Sequence, residues 1–145
     1  MAGELTIEGY ASLFWARDLN DDVAQPGCFS ASLARTGASG VRMLYQHEAR
    51  TPIGVWDEIA EDSSGLFVRG RIVEVSPQAR LAAALVRAGA LDGLSIGFRT
   101  EKARPDESGR LRVLVQVALW EVSLVTFPML PGARITTYSQ AALTA

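Results

Sequence analysis

The chain contains a single histidine, His47, and two other residues whose chemistry could combine with it, a serine and a glutamate. Ser95 lies between two glycines in the stretch Gly-Leu-Ser-Ile-Gly, and Glu121 lies within a strongly apolar stretch. A serine hydroxyl becomes an effective nucleophile when a base removes its proton, and imidazole is the usual base near neutral pH. Any serine–histidine mechanism within one chain must therefore use His47.

Each of these residues also has a purely structural interpretation. In a strand, Ser95 and its two flanking glycines would share one face and leave a shallow floor for another backbone, so close packing with an incidental serine is favoured on spacing alone. A histidine at the end of a strand is often a surface residue. Glu121 should be buried and needs a partner, either an arginine or a histidine. Ser123 shares its face and is either a rival nucleophile or an internal hydrogen-bond donor.

Three other motifs are weaker than they look. The residues around Ser95 match the Gly-x-Ser-x-Gly nucleophile elbow of α/β-hydrolases, but no histidine follows the serine as that fold requires. Asp18, Asn20 and Asp22 have the spacing of a calcium loop but lack its glycine and its final glutamate, which indicates a turn. Cys28 is a conceivable thiol nucleophile, yet a lone cysteine at the start of an apolar helix is typical of core packing.

Composition narrows the class of protein. The 145 residues are 48% apolar and 21% charged, with 14 basic against 16 acidic side chains and a net charge of −2. This balance gives no general attraction to nucleic acid or to an anionic membrane. One cysteine cannot form an internal disulfide, and the N-terminus lacks the pattern of a signal peptide. We expect a soluble protein of a reducing compartment, without nucleic-acid or membrane partners, metal or cofactor.

Turn signals divide the chain into short β-like stretches and two helices. Sequential hairpins with few helices predict an antiparallel α+β domain. The final strand is apolar on both faces, which suits a β-barrel or a sheet covered by helices. The predicted strands are Leu5 to Trp15, Val41 to His47, Ile53 to Ala60, Leu66 to Val75, Leu91 to Thr100 and Val113 to Phe127.

Two helices and a tail complete the predicted organisation. A short helix contains Phe29 and Leu33 and ends at Gly37. A longer one begins with Ser76 as N-cap and Pro77 in the first position. Residues 1–131 are interpreted as one domain, and residues 132–145 as a loosely held, flexible C-terminal tail because they have little core-forming character. The apolar stripe predicted for the second helix consists of Leu81, Ala84, Leu85 and Ala88.

Several longer stretches, taken together and in order, carry a resemblance that no single motif carries. They include Gly9–Phe14, Gln25–Phe29, Met43–His47, Pro52–Trp56, Gly65–Gly70, Gly89–Phe98 and Leu119–Pro128. In this order they resemble the prohead (procapsid maturation) serine proteases of tailed phages and related gene transfer agents. The resemblance covers most of the chain from Gly9 to Pro131, with Cys28 standing where the family more often has alanine.

The resemblance implies a fold and a set of functional residues. The family is similar to the herpesvirus maturation protease assemblin, a mostly antiparallel β-barrel flanked by a few helices. By motif, Ser95 would be the nucleophile, His47 the base and Glu121 the acid that orients it. Two oxyanion donors are considered, backbone N–H groups near Gly97 and the side chain of Arg99.

The resemblance also implies partners and a location. The substrates would be the major capsid protein precursor and scaffold segments, with self-cleavage of the protease's own tail. The protein would form a homo-oligomer, such as a dimer, and act in the bacterial host cytoplasm inside the assembling procapsid. Two alternatives differ in class: a structural or scaffolding component of the procapsid with the same fold and little activity, and a ligand-binding β-barrel without catalysis.

Overall fold

A single curled β-sheet carries most of the fold in the computed structural model, which describes residues 3–140. Two helices accompany the sheet, and a 3₁₀ turn spans Ala38–Gly40. The elements in chain order are β1 (Glu4–Leu13), β2 (Asp22–Ala24), α1 (Ser30–Thr36), β3 (Arg42–Tyr45), β4 (Pro52–Glu61), β5 (Gly65–Val73), α2 (Pro77–Arg87), β6 (Gly93–Pro105), β7 (Arg112–Val125) and β8 (Ile135–Gln140).

The strand pairing places β7 in contact with three other strands, β2, β3 and β6. The order is β2-β7-β3-β4-β5-β1-β8, and β6 pairs with β7. Most pairs are antiparallel, but the short β2 and β3 both run parallel to β7, at its start and its end respectively. The mostly antiparallel α+β architecture predicted from the sequence is confirmed, and the sheet curls as a half-barrel. The parallel pairs were not predicted.

The curl brings the start of β8 back to the start of β6. The backbone N–H of Leu94 donates to the carbonyl of Ala133 at 3.0 Å, and that of Ile135 donates to the carbonyl of Asp92 at 2.7 Å. A bridge between Gly93 and Arg134 lies at the same place. These bonds tie the first residues of β6 to the far side of the sheet, immediately before Ser95.

The core lies on one side of this curled sheet. Along β1, buried and partly exposed positions alternate, as a strand with one covered face requires. The buried apolar side chains form one cluster that draws on β1 through β7 and on α2. Burial of each large aliphatic or aromatic side chain, such as fully buried Phe29, contributes about 1.5–3 kcal/mol.

The start of α2 is as predicted, but its buried face is not. Ser76 Oγ accepts a hydrogen bond from Ala79 N at 3.1 Å, and Pro77 occupies the first turn. The predicted stripe that includes Leu81 is wrong, because Leu81 is 51% exposed. Small residues face the sheet instead and allow a close approach of the helix. The buried residues of α2 are Ala79, Ala82, Ala83 and Val86.

The C-terminal segment also differs from the prediction. Residues Ile135–Gln140, assigned to a loosely held tail, form β8 and pair antiparallel with β1 from Leu5 to Gly9. The segment has β-branched and aromatic residues, which favour a strand, but its exposure at the sheet edge gives it few apolar positions. Ala133, also assigned to the tail, is fully buried in the core cluster, and residues 141–145 lie outside the described residues. Within residues 3–140, neither helix has the length and apolar content needed to cross a membrane.

Candidate active site

The pairing of β6 with β7 places Ser95 and Glu121 on one face of the sheet. Ser95 lies directly opposite Ser123, and Gly97 lies directly opposite Glu121. Directly opposed residues of an antiparallel pair share a face, with Cβ atoms about 4.5–5.5 Å apart. Ile96 lies between Ser95 and Gly97 on β6 and packs against the core cluster. Because side chains alternate along a strand, Ser95 and Gly97 face away from the core.

A β-bulge in β7 turns Glu121 onto this face. Phe98 pairs with Leu119 while Gly97 pairs with Glu121, so Trp120 is an extra residue on β7. Leu119 belongs to the core cluster, and regular alternation would send Glu121 into the core as well. The extra residue shifts the alternation by one, which is a common way to re-aim a side chain beside an active site. Trp120 itself is 59% exposed.

A backbone turn brings His47 to the same face. The predicted strand Val41–His47 ends two residues early, at Tyr45. If it continued, His47 would lie on the side of buried Met43, which is the core side. Gln46 and His47 instead have φ values of 55° and 60°, in the left-handed region. This pair of residues reverses the chain and directs the imidazole to Glu121.

The imidazole, the carboxylate and Ser123 form a connected set of hydrogen bonds. His47 Nδ1 lies 2.5 Å from Glu121 Oε1. Ser123 Oγ donates to Glu121 Oε2 at 2.9 Å and accepts from the backbone N–H of His47 at 3.1 Å. The two carboxylate oxygens therefore have separate partners. Of the two roles considered for Ser123, the internal hydrogen-bond donor is the one that the structure shows.

The electrostatics of this set favour a proton on the imidazole. The hydrogen bond that the Glu121 carboxylate accepts from the imidazole raises the pKa of His47 above its usual value of 6.5, and partial burial opposes the rise only in part. Because Nδ1 is held by the carboxylate, Nε2 is the nitrogen left to exchange a proton with another group. The side chain of His47 is 44% exposed, whereas that of Glu121 is 11% exposed. The pair is therefore open to solvent on the imidazole side.

The two glycines around Ser95 make room for different neighbours: Gly93 for the backbone of β7, as the spacing had suggested, and Gly97 for a side chain. A Cβ at position 97 would lie 2.6 Å from Glu121 Cγ and 2.7 Å from Oε1. At position 93 it would lie 2.5 Å from the backbone carbonyl oxygen of Val125 and 2.9 Å from the ring of Pro128. Gly97 is thus a requirement of the position that the Glu121 carboxylate occupies.

The structure brings Ser95 near this set without bonding it to the histidine. Ser95 is buried, with 4% of its surface exposed. Within residues 3–140, the side-chain hydrogen bonds of the site join His47, Glu121 and Ser123, and none joins Ser95 to His47. Catalytic hydrogen bonds are often long before substrate binds, so this geometry is compatible with a nucleophile awaiting its substrate.

Cys28 is in a position that suits packing and opposes reactivity. It is completely buried in the core cluster. Burial is the main cause that raises the pKa of its thiol to about 12. Because the thiolate is the nucleophilic form, this thiol is inert at neutral pH.

Solved structures of viral proteases share this fold. The bacteriophage T4 capsid assembly protease matches with a TM-score of 0.62 at 16% identity, over 83% of this chain and 80% of that one. The varicella-zoster virus protease matches with a TM-score of 0.60 at 18% identity, over 96% of this chain and 65% of that one. The chain therefore has the fold of these two viral proteases.

Sequence comparison gives the particular family. Residues 1–144 match the family described as Caudovirus prohead serine protease. The prohead protease of Enterobacteria phage HK97 is 37% identical over 128 residues, and that of Escherichia phage T5 is 31% identical over 127 residues. These alignments cover 84% and 87% of this chain, and 55% and 59% of the phage proteins. The chain belongs to the prohead serine protease family and spans somewhat more than half the length of these relatives.

Proposed function

We propose that the chain is a serine endopeptidase that processes the major capsid protein precursor and scaffold segments during procapsid maturation. The observation that carries the proposal is the contact between His47 and Glu121 on the sheet face that also presents Ser95. Membership of the prohead serine protease family supports it. The phage relatives are prohead proteases, which supports a site of action in the procapsid, inside the bacterial host.

The proposed mechanism gives each residue of the site a role. His47 accepts the proton of the Ser95 hydroxyl through Nε2 as the oxygen attacks the scissile carbonyl carbon. The imidazolium that forms is stabilised by the Glu121 carboxylate at Nδ1, which also fixes the tautomer. His47 then gives the proton to the leaving amine, and water repeats the sequence on the acyl-enzyme. Ser123 holds the second carboxylate oxygen throughout.

A concave surface beside the imidazole supports the binding of a peptide. Leu44, Phe98 and Trp120 contribute its apolar part, and His47 and Glu121 line the same concavity. A polypeptide crossing this surface would pass next to the candidate base. Self-cleavage and a homo-oligomeric state, such as a dimer, belong to the same proposal.

A structural component of the procapsid with little activity is the alternative function. The burial of Ser95, together with its lack of a hydrogen bond to His47 among the described residues, favours this alternative. In that case the His47–Glu121 pair would stabilise the fold and process nothing.

The proposal is tested with the capsid precursor of the same phage and a serine-directed fluorophosphonate probe. Intact mass is recorded for wild type, Ser95→Ala, Ser123→Ala and the control Ser39→Ala, which changes an exposed serine remote from β6. We expect precursor cleavage and one probe adduct in wild type and in Ser39→Ala, and neither in Ser95→Ala.

Two outcomes would contradict the proposal in different ways. Cleavage that persists in Ser95→Ala but disappears in Ser123→Ala would assign the nucleophile to Ser123. Absence of both cleavage and adduct in folded, assembled wild-type protein would favour the structural component.

A further inference from the structure

The turn that carries His47 is strained. Gln46 and His47 adopt left-handed φ values in succession, and neither is a glycine or an asparagine. Such a residue costs on the order of 1–3 kcal/mol and persists only where its surroundings fix it. Some set of contacts must therefore hold this turn in place.

Apart from bonds within the loop itself, such as that from Glu48 N–H to the carbonyl of Tyr45 at 3.0 Å, the contacts that hold the turn come from the end of β7 and the residue after it. The backbone N–H of Gln46 donates to the carbonyl of Leu124 at 2.8 Å, and that of His47 donates to Ser123 Oγ. The side chain of Gln46 makes two further bonds to one residue. Its Nε2 donates to Thr126 Oγ1 at 2.7 Å, and its Oε1 accepts from Thr126 N at 3.0 Å.

The paired bonds constrain the turn more than a single bond would. This amide has one favoured orientation, because exchanging its oxygen and nitrogen would place its NH₂ group against the Thr126 backbone N–H, and both groups are donors. The Gln46 side chain is thereby fixed to the chain that leaves β7. His47 follows directly, so the position of its imidazole depends on this attachment.

We propose that the Gln46–Thr126 pair is a positioning device for the candidate base, holding the left-handed turn that directs His47 Nδ1 at Glu121. The pair does not touch the imidazole, so both members are positioning residues. The effect on catalysis rests on the proposed function, whereas the effect on the imidazole does not. The device also links the base to the segment after β7, which includes exposed Phe127 and Met129.

The experiment uses the single histidine as its own reporter. The pKa of His47 is measured by NMR titration of its imidazole, which no other imidazole obscures. The main variant, Thr126→Val, removes the acceptor for Gln46 Nε2, and Thr126→Ser restores it. The control Thr137→Val removes an equally exposed threonine bond, to Glu8 at 2.8 Å on β1.

A second variant protects the test against misfolding. Gln46→Gly removes both side-chain bonds but relieves the left-handed strain, since glycine adopts positive φ freely. The charged side chains that line the surface beside the imidazole, Glu121 on β7 and Arg42 on β3, are unchanged in every variant, and so are Glu48 and Arg50 in the loop that follows His47. A change in the titration therefore reports a change in the position of the ring.

We expect Thr126→Val and Gln46→Gly to lower the pKa of His47 towards its usual value, with wild-type behaviour in Thr126→Ser and Thr137→Val. In protein that cleaves the precursor, kcat should fall by between about tenfold and 100-fold with KM little changed. An unaltered His47 titration in both Thr126→Val and Gln46→Gly would overturn the inference. Because the titration needs no substrate, it decides the matter even if the wild type proves inactive.

Discussion

At the scale of single residues, the site depends on how one carboxylate is shared. Glu121 Oε1 contacts the imidazole of His47, and Oε2 accepts from Ser123. With both oxygens occupied, the carboxylate cannot rotate without losing a bond, and its charge remains next to Nδ1. The charge on Glu121 and the space it occupies can therefore be tested separately.

Removing the charge should change the titration of the imidazole. In Glu121→Gln we expect the pKa of His47 to fall, because the acceptor that raises it becomes a neutral amide. Precursor cleavage should fall by roughly 10²-fold or more, since the tautomer is no longer fixed. NMR titration and initial rates measure the two effects. Glu58→Gln, which alters an exposed pair with Arg69, is the control, and an unchanged His47 pKa in Glu121→Gln would contradict the assignment.

A methyl group at position 97 should displace the Glu121 carboxylate without removing it. Gly97→Ala would put a Cβ 2.6 Å from Glu121 Cγ, so the side chain must move away. We expect kcat to fall by about tenfold or more, with a loss of about 1–3 kcal/mol in the free energy of unfolding. Gly132→Ala is the matched control, because its new Cβ would meet only the end of the Leu13 side chain, at 3.1 Å. Equal rates in the two variants would show that Gly97 is not needed at the site.

At the scale of elements, the sequence predicts the strands and turns better than the faces they present. The capping of α2 by Ser76 could be predicted from the sequence, because one side chain bonds a backbone group only three residues away. The face of Glu121 depends on a bulge at Trp120, which exists only through the register with β6. Similarly, the residue types of Gln46 and His47 do not predict a left-handed turn. Their conformation is set by contacts with residues about 80 positions away.

The buried face of α2, which differs from the predicted one, can be tested by mutation. Val86 is buried against the sheet and Leu81 is half exposed. We expect Val86→Ala to lower the free energy of unfolding by about 2 kcal/mol, from lost transfer energy and a residual cavity. Leu81→Ala should change it by about 0.5 kcal/mol or less. Urea unfolding of the two variants measures both, and a larger loss in Leu81→Ala would restore the stripe first predicted.

At the scale of the whole molecule, the candidate site depends on how the sheet closes. Ser95 follows the bonds between the starts of β6 and β8, His47 follows β3, and Glu121 lies in β7. The three residues are thus collected from distant parts of the chain by strand pairing. Sequence blocks identify the residues by resemblance, but only the pairing accounts for their common face. The small, exposed β8 was missed because edge strands need few apolar residues.

The proton on His47 should link the stability of the whole molecule to its activity, because binding this proton stabilises the folded state and prevents cleavage. Folding raises the pKa of His47, so the folded state binds the proton more tightly than the unfolded chain does. This contribution to stability is fully present below the usual value of about 6.5 and is lost as pH rises through the folded-state pKa. Cleavage needs a neutral imidazole, so kcat/KM should rise over the same interval.

Urea midpoints and kcat/KM, recorded at matched values between about pH 6 and pH 9, measure the two trends. We expect stability to decline from about the usual histidine pKa and to level off above the folded-state pKa of His47, and we expect the midpoint of the rise in activity to lie at that folded-state pKa. His47→Asn should remove this decline in stability, because it removes the titrating group. A decline that persists in His47→Asn would assign the proton elsewhere. An activity midpoint that differs from the His47 pKa measured by NMR titration would mean that the base in catalysis is not the group whose proton stabilises the fold.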